Sequence, residues 1–305
     1  MSGQNVLALS VPAAMLPSAS SLNSSYLTTQ PLAPNHKEEI LTFLAERPLQ
    51  TVAMAGMIYD NGVVSPHNRG AFYGCRDEAG NLKGVALVGH ATLIETRCDA
   101  ALALFARVAQ NYSRIHIIMG EEAEVQGFWN YYSEGGQRMR VQCREMLFEQ
   151  RYPMAVSEVV HGLRLAAQSD LEPLVQVQAQ MALEESGRNP LEIDPIGFRR
   201  RYSRRIESGR VWVLTENEQL IFKADVQSET PEVIYLEGIY VNPENRGNGY
   251  GLRCLSQLNR ELLKRVKSTC LLVNETNWKA QSFYLSAGFK LRGGYDTIFL
   301  HTQEQ

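Results

Sequence analysis

Twice along this chain of 305 residues the hydrophobic period changes in the same order, and that recurrence narrows the possible folds more than any other feature. Strands bury alternate residues and helices bury every third or fourth, so each change of period marks a new element. In the first half, residues 37–47 read as a short helix, and 71–75 and 83–92 as strands divided by the turn-forming Asp77-Glu-Ala-Gly-Asn81. A helix over 99–110 follows, apolar at Leu102, Leu104, Phe105 and Val108, then a buried strand over 114–119, a helix over 121–132 and a closing strand over 138–148. The second half repeats the series. A strand over 161–166 leads to helices over 170–185 and 198–207 and a meander over 211–214, 220–225 and 233–241. A helix over 250–264, a strand over 268–273, a helix over 278–287 and a closing strand over 290–299 complete it. The expected class is α/β (α+β), with two copies of one fold over 36–150 and 159–305 and a linker near Pro153.

Composition bears mainly on what is excluded. With 44% hydrophobic and 21% charged residues the chain is ordinary globular material. A net charge of −3 argues against a protein that works by neutralising nucleic-acid phosphates. No apolar run approaches the ~20 residues of a membrane span. The five cysteines are scattered, without C-x-x-C spacing or neighbouring histidine pairs, so neither a metal site nor a disulfide framework is expected and a cytoplasmic location is. Residues 1–35 hold seven Ser, four Pro and no charge. They lack the basic start of a secretory signal and read as a flexible extension, with a strand or clasp docked on a neighbouring surface as the alternative.

One junction carries chemistry. A strand ending in Ile239-Tyr-Val-Asn-Pro243 stops at the proline, passes through Arg246-Gly-Asn-Gly-Tyr-Gly251 and opens into a helix whose apolar face holds Leu252, Leu255, Leu258 and Leu262. Free N–H groups at a helix start, with the dipole behind them, make an anion site. The glycines let backbone approach a pyrophosphate, and Arg246 adds charge-assisted contacts. No Lys-Ser or Lys-Thr follows, which excludes a P-loop, and the glycine spacing is not that of a dinucleotide fold.

The R-x-x-G-x-G arrangement at Arg246, Gly249 and Gly251 resembles that of the GNAT superfamily of acyl-CoA-dependent N-acyltransferases. A second stretch, Asn277-Trp-Lys-Ala-Gln-Ser-Phe-Tyr284 closing at Gly288-Phe289, is similar to the last helix of that family; the two signatures fall in the family's order over about 145 residues. Asn277 and Gly288 also suit the two helix caps, and Asn277 is weighed equally as cap and as coenzyme contact.

The resemblance implies two tandem GNAT-like domains, each a mixed, mostly antiparallel central sheet flanked by helices, with acetyl-CoA as co-substrate and no metal. It implies direct attack of a primary amine on the thioester. The pantetheine would lie along Ile239 and Val241, the pyrophosphate on the amides of Gly247, Asn248, Gly249, Tyr250, Gly251 and Leu252, and an N–H near Ile239 or Tyr240 would polarise the carbonyl. Tyr284 matches the family's general acid. Glu237 is the candidate base, directly or through a water, with an exposed strand-end glutamate as the alternative, since the acidic residue of many relatives falls two positions earlier, at Tyr235.

The acceptor, a small-molecule or peptide amine, is expected between Glu184 and Asp194, where Glu184 and Glu185 either attract a cation or form a solvated helix end. Phe198, Tyr202 and Ile206 recur every four residues, so Arg199, Arg200, Arg201, Arg204 and Arg205 are expected on a wet face, the 3′-phosphate of the coenzyme or a phosphorylated acceptor being the alternatives. In the first half the matching stretch, Leu93 to Cys98, contains no glycine and carries Glu95, as in tandem acetyltransferases whose first copy has lost its donor site. Competing readings are a non-catalytic acyl-CoA-binding regulator and an acyltransferase using a longer acyl-CoA.

Overall fold

Residues 26–155 and 158–301 are described by the structure, a computed structural model. The first half runs β1 (Thr28–Pro31), α1 (Lys37–Ala45), α2 (Pro48–Asn61), β2 (Gly70–Arg76), β3 (Leu82–Gly89), β4 (Ala91–Thr96), α3 (Ala100–Gln110), β5 (Ile117–Glu121), α4 (Glu122–Tyr132) and β6 (Met139–Gln150). The second runs β7 (Arg164–Leu165), α5 (Leu171–Ser186), α6 (Pro190–Ile193), α7 (Pro195–Glu207), β8 (Val211–Glu216), β9 (Gln219–Glu229), β10 (Val233–Val241), α8 (Tyr250–Leu262), β11 (Ser268–Asn274), α9 (Trp278–Ser286) and β12 (Lys290–Leu300).

All these strands join one sheet in the order β1-β2-β3-β4-β5-β12-β6-β11-β10-β9-β8-β7. The order is a mirror about the β12–β6 pair, so the two copies are related by a pseudo-twofold. Only β4–β5 and β10–β11 run parallel. The closing strands are exchanged: β12 pairs with β5 of the first half, and β6 pairs with β11 of the second. A division of the chain at 150/159 therefore divides the sequence but not the sheet.

Helices cover both faces. In the first half α3 and α4 enclose Val88, Ile118 and Phe128, while α1 and α2 enclose Phe72 and Leu87 from the other side. In the second half α8 and α9 lie over Leu236, Val273 and Phe148, and α5 and α7 over Val211 and Val213. Helix α2 also reaches across to β9 and β10. Gly56 allows this approach, because a Cβ there would stand 2.8 Å from Ser228 Cβ.

Three expectations are corrected. Of the extension read over 1–35, residues 1–25 lie outside the described part, but Thr28–Pro31 is an edge strand on β2 and Leu32 is buried behind it. The docked-strand alternative therefore holds there, and Pro31 is tolerated because an edge needs no second ladder bond. Helix α2 was not anticipated: its sequence is apolar nearly all round, since it is covered by both halves, and amphipathic periodicity is lost. The strand expected over 83–92 breaks near His90, and residues 93–96, expected as loop, belong to β4.

Candidate active site

Strands β10 and β11 pair only from Val233–Tyr235 against Ser268–Cys270, and β10 then departs. Its register against β9 slips twice, between Tyr235 and Leu236 and between Glu237 and Tyr240. Gly238 sits in this irregularity at φ +59°, where a Cβ would lie 2.6 Å from Lys223 Nζ. The result is an open wedge with an unpaired β10 edge. Ile239 and Val241 pack toward α8 and α9, whereas Tyr240 packs on the opposite face.

At the wedge's mouth, Asn242 caps a short turn by accepting from Glu244 N at 3.1 Å. Gly247 and Gly249 follow at φ +82° and +77°, and α8 starts with no side-chain cap. Among the described residues the amides of Gly247, Asn248, Gly249, Tyr250, Gly251 and Leu252 donate to no protein acceptor. Six adjacent free donors at the positive end of a helix form a geometry able to receive an anion. Arg246 is turned away from this role, with its Nε donating to Val241 O at 3.1 Å. Arg253, one turn into α8, was missed; its guanidinium lies over the Tyr250 ring at 5.2 Å.

Tyr284 is half-buried on α9 against Phe148, Phe283 and Phe289, with ring centroids 5.1–6.5 Å away. Burial raises its hydroxyl well above the ordinary tyrosine value, so it holds its proton throughout the physiological range. Asn277 is exposed and caps α9 by accepting from Ala280 N at 3.1 Å. That bond accounts for its identity without a coenzyme.

Glu237 accepts from Arg205 Nη1 at 2.8 Å. Arg205 also reaches Asp225 at 3.1 Å and bonds Gln227. Behind it Lys223 and Asp225 are fully buried: Lys223 Nζ donates to Asp225 at 3.1 Å, Gln178 at 2.7 Å and Gly238 O at 2.9 Å, and Tyr202 donates to Asp225 at 3.0 Å. Burial lowers the Lys223 ammonium. The expectation that Arg205 lies on a wet face is thus wrong: it is drawn inward because the buried carboxylate of Asp225 requires a counter-charge. The signal was a Lys and an Asp inside the apolar run 220–226. Arg199 and Arg201 do stay exposed, paired with Glu172 and Asp194.

Glu145 of β6 and Glu185 of α5 lie near Glu237. Glu145 accepts from Thr297 at 2.6 Å, and burial raises its carboxyl. Glu185 is exposed at the surface, and the protein packed around its carboxyl, with the charges of Glu145 and Glu237, raises it to about 7. Tyr235 and Glu237 also line a cavity of about 600 Å³ between the halves, bounded by α2, β4, α7 and β9. Tyr235 and Glu237 thus stand on the cavity side of β10, and Tyr284 on the α8–α9 side.

Two pseudo-symmetric copies of one sheet, the second wedged open beside a glycine-rich helix start, define a tandem GNAT fold. Residues 207–291 match the family described as acetyltransferase (GNAT) domain, so this part of the chain carries a domain of that family. Solved structures agree in fold across nearly the whole length. A Drosophila protein has a TM-score of 0.64 at 11% identity, covering 90% of this chain and 99% of its own. A tandem GNAT protein from the clavulanic acid biosynthesis pathway has 0.57 at 14%, covering 92% and 100%. A GNAT-family acetyltransferase from Colwellia psychrerythraea has 0.53 at 16%, covering 90% and 99%. No curated protein sequence matches the chain.

Proposed function

We propose that this protein is an acetyl-CoA-dependent N-acetyltransferase with a single donor site, in its second half, acting on a primary amine of a small molecule or peptide in the cytoplasm. The observation that carries this reading is the run of six unsatisfied amides from Gly247 to Leu252 beside an unpaired strand edge. The pyrophosphate of the coenzyme fits those amides, and its pantetheine fits the edge formed by Ile239 and Val241. An N–H at Ile239 or Tyr240 polarises the thioester carbonyl.

The acceptor enters from the cavity side. Its nitrogen forms a bond to the acetyl carbon, and the C–S bond breaks with its electron pair leaving on sulfur. Tyr284, protonated and on the donor side, supplies the thiolate's proton. One ammonium proton leaves first, to Glu185, whose carboxyl at about 7 is well matched to neutral pH; the second leaves the nitrogen as the C–N bond forms and passes through solvent to replace the proton Tyr284 has given. Glu237, tied to Arg205, orients and attracts the amine and is no longer the preferred base. The same ion pair favours, as a second reading, coenzyme binding without transfer.

Calorimetric titration with acetyl-CoA, on the intact chain and on Gly249→Glu, tests the donor site. One site per chain, lost in the variant, is expected. No binding overturns the proposal, and two sites would put a second donor site in the first half. Release of coenzyme A with an amine present separates transfer from binding alone.

A further inference from the structure

The cavity between the halves is not uniformly acidic. At one end stand Tyr235 and Glu237; at the other, Arg201 and Arg204 of α7 face the loop that carries His67 and Arg69. Arg205, one turn from Arg201, already holds Glu237 and Asp225, and Arg210 is held by Asp60 in a bidentate pair at 2.6 Å. Arg201 has one carboxylate partner, Asp194 at 3.0 Å. Among the described residues, Arg69 and Arg204 have no carboxylate within 4.0 Å; their side-chain partners are His90 Nδ1 at 3.1 Å and His67 Nδ1 at 3.3 Å.

Cations from two halves thus come together where like charges repel, and among the described residues Asp194 of α7's start is the carboxylate that acts on both Arg201 and Arg69. The neighbourhood registers that field. Burial and Arg69 lower the His90 imidazole to about 3, and burial with Arg201 lowers the Arg69 guanidinium. Arg69 is held there at a cost, since it is a non-glycine residue at φ +53°, and a Cβ on Gly89 would stand 2.3 Å from its carbonyl oxygen. Such an arrangement is stabilised by an anion placed between the guanidinium groups, which bind carboxylate or phosphate in bidentate fashion.

We propose that the acceptor carries an anionic group, carboxylate or phosphate, beside its reactive amine, the anion resting on Arg69, Arg201 and Arg204 while the amine points to Glu237 and Tyr235. This rests on the acetyl-transfer reading and names its substrate class. The anion end lies about one helical turn from the Arg205–Glu237 pair, so the linker between the two groups is short.

Matched pairs of acceptors test it on the intact chain saturated with coenzyme A. Calorimetry compares phosphoethanolamine with ethanolamine, and β-alanine with propylamine; coenzyme A release from acetyl-CoA is followed in parallel. The anionic members should bind at least about tenfold more tightly, the phosphate or carboxylate pair showing which anion is preferred. The preference should disappear in Arg69→Gln/Arg204→Gln, persist in Arg204→Lys and be untouched by Lys264→Gln, a surface charge two residues beyond the end of α8. Equal affinity within each pair, absence of binding by all four, or a preference that survives the double variant overturns the inference. A preference without coenzyme release upholds the anion site and overturns the transfer reaction instead.

Discussion

In the first half β4 enters α3 through Arg97, Cys98 and Asp99; in the second, β10 enters α8 through the eight residues from Asn242 to Gly249. The surrounding strands are the same, but the backbone is satisfied differently. In the first half Thr96 N donates to Glu124 Oε1 at 2.9 Å and Cys98 N to Thr96 Oγ1 at 3.0 Å. Arg97, Ala101 and Leu102 donate to carbonyls. In the second half the amides from Gly247 to Leu252 donate to nothing among the described residues. Even the carboxylates correspond. Glu95 stands two residues beyond the last β4–β5 pair, as Glu237 stands beyond the last β10–β11 pair, and Arg47 and Arg97 hold the first as Arg205 holds the second. On the proposed reading, one fold keeps or loses a donor site by whether its own groups occupy the amides a phosphate would need.

The strongest way to break this contrast is to put the same charge at both junctions. Gly249→Glu should weaken acetyl-CoA binding at least about a hundredfold, through the lost left-handed turn and anion repulsion, while Cys98→Glu leaves the dissociation constant within about twofold. Comparable losses from both would mean that the first half also binds the donor. Tyr284→Phe should next reduce kcat about a hundredfold with acetyl-CoA affinity unchanged, and an unaltered kcat would remove it as the acid.

Glu185 sharpens the comparison through pH. A carboxyl near 7 is an acid below that pH and a base above it, so kcat/KM should climb about tenfold per pH unit until about pH 7 and then level. Glu185→Gln should lose that limb and most of the rate; an unchanged profile would assign the limb to another group. The smallest effect falls on the first half. Burial raises the Glu124 carboxyl to about 7, and the charge of Glu95 adds to it, so the folded state binds that proton more tightly than the unfolded chain. The associated stability is fully present below the ordinary carboxylate value and lost as pH rises through about 7. Glu124→Gln should therefore exceed the unaltered protein in stability by about 1–3 kcal/mol at pH 8, the difference vanishing near pH 4, as urea unfolding at the two pH values would measure.

Much of the candidate site's local geometry was legible in the sequence because its signals are local. Gly247 and Gly249 announce a left-handed turn, Asn277 and Gly288 bracket a helix, and Tyr284 lies seven residues after the cap. The period changes locate nearly every element, since amphipathicity is set by neighbours along the chain. Helix α2 escaped for the converse reason, being apolar on the sides that two halves cover.

By itself, then, the sequence determined the repeated strand and helix order, the glycine turn and the asymmetry between the two junctions, all of which depend on residues a few positions apart. Tertiary structure alone decided that β6 and β12 change places, that Arg205 turns inward to Asp225 and Glu237, that Glu185 is raised to about 7 beside Glu145 and Glu237, and that the loop carrying His67 and Arg69 comes up to Arg201 and Arg204. Those outcomes depend on desolvation and charge between residues from 20 to more than 130 positions apart, and such terms exist only once the chain has closed on itself.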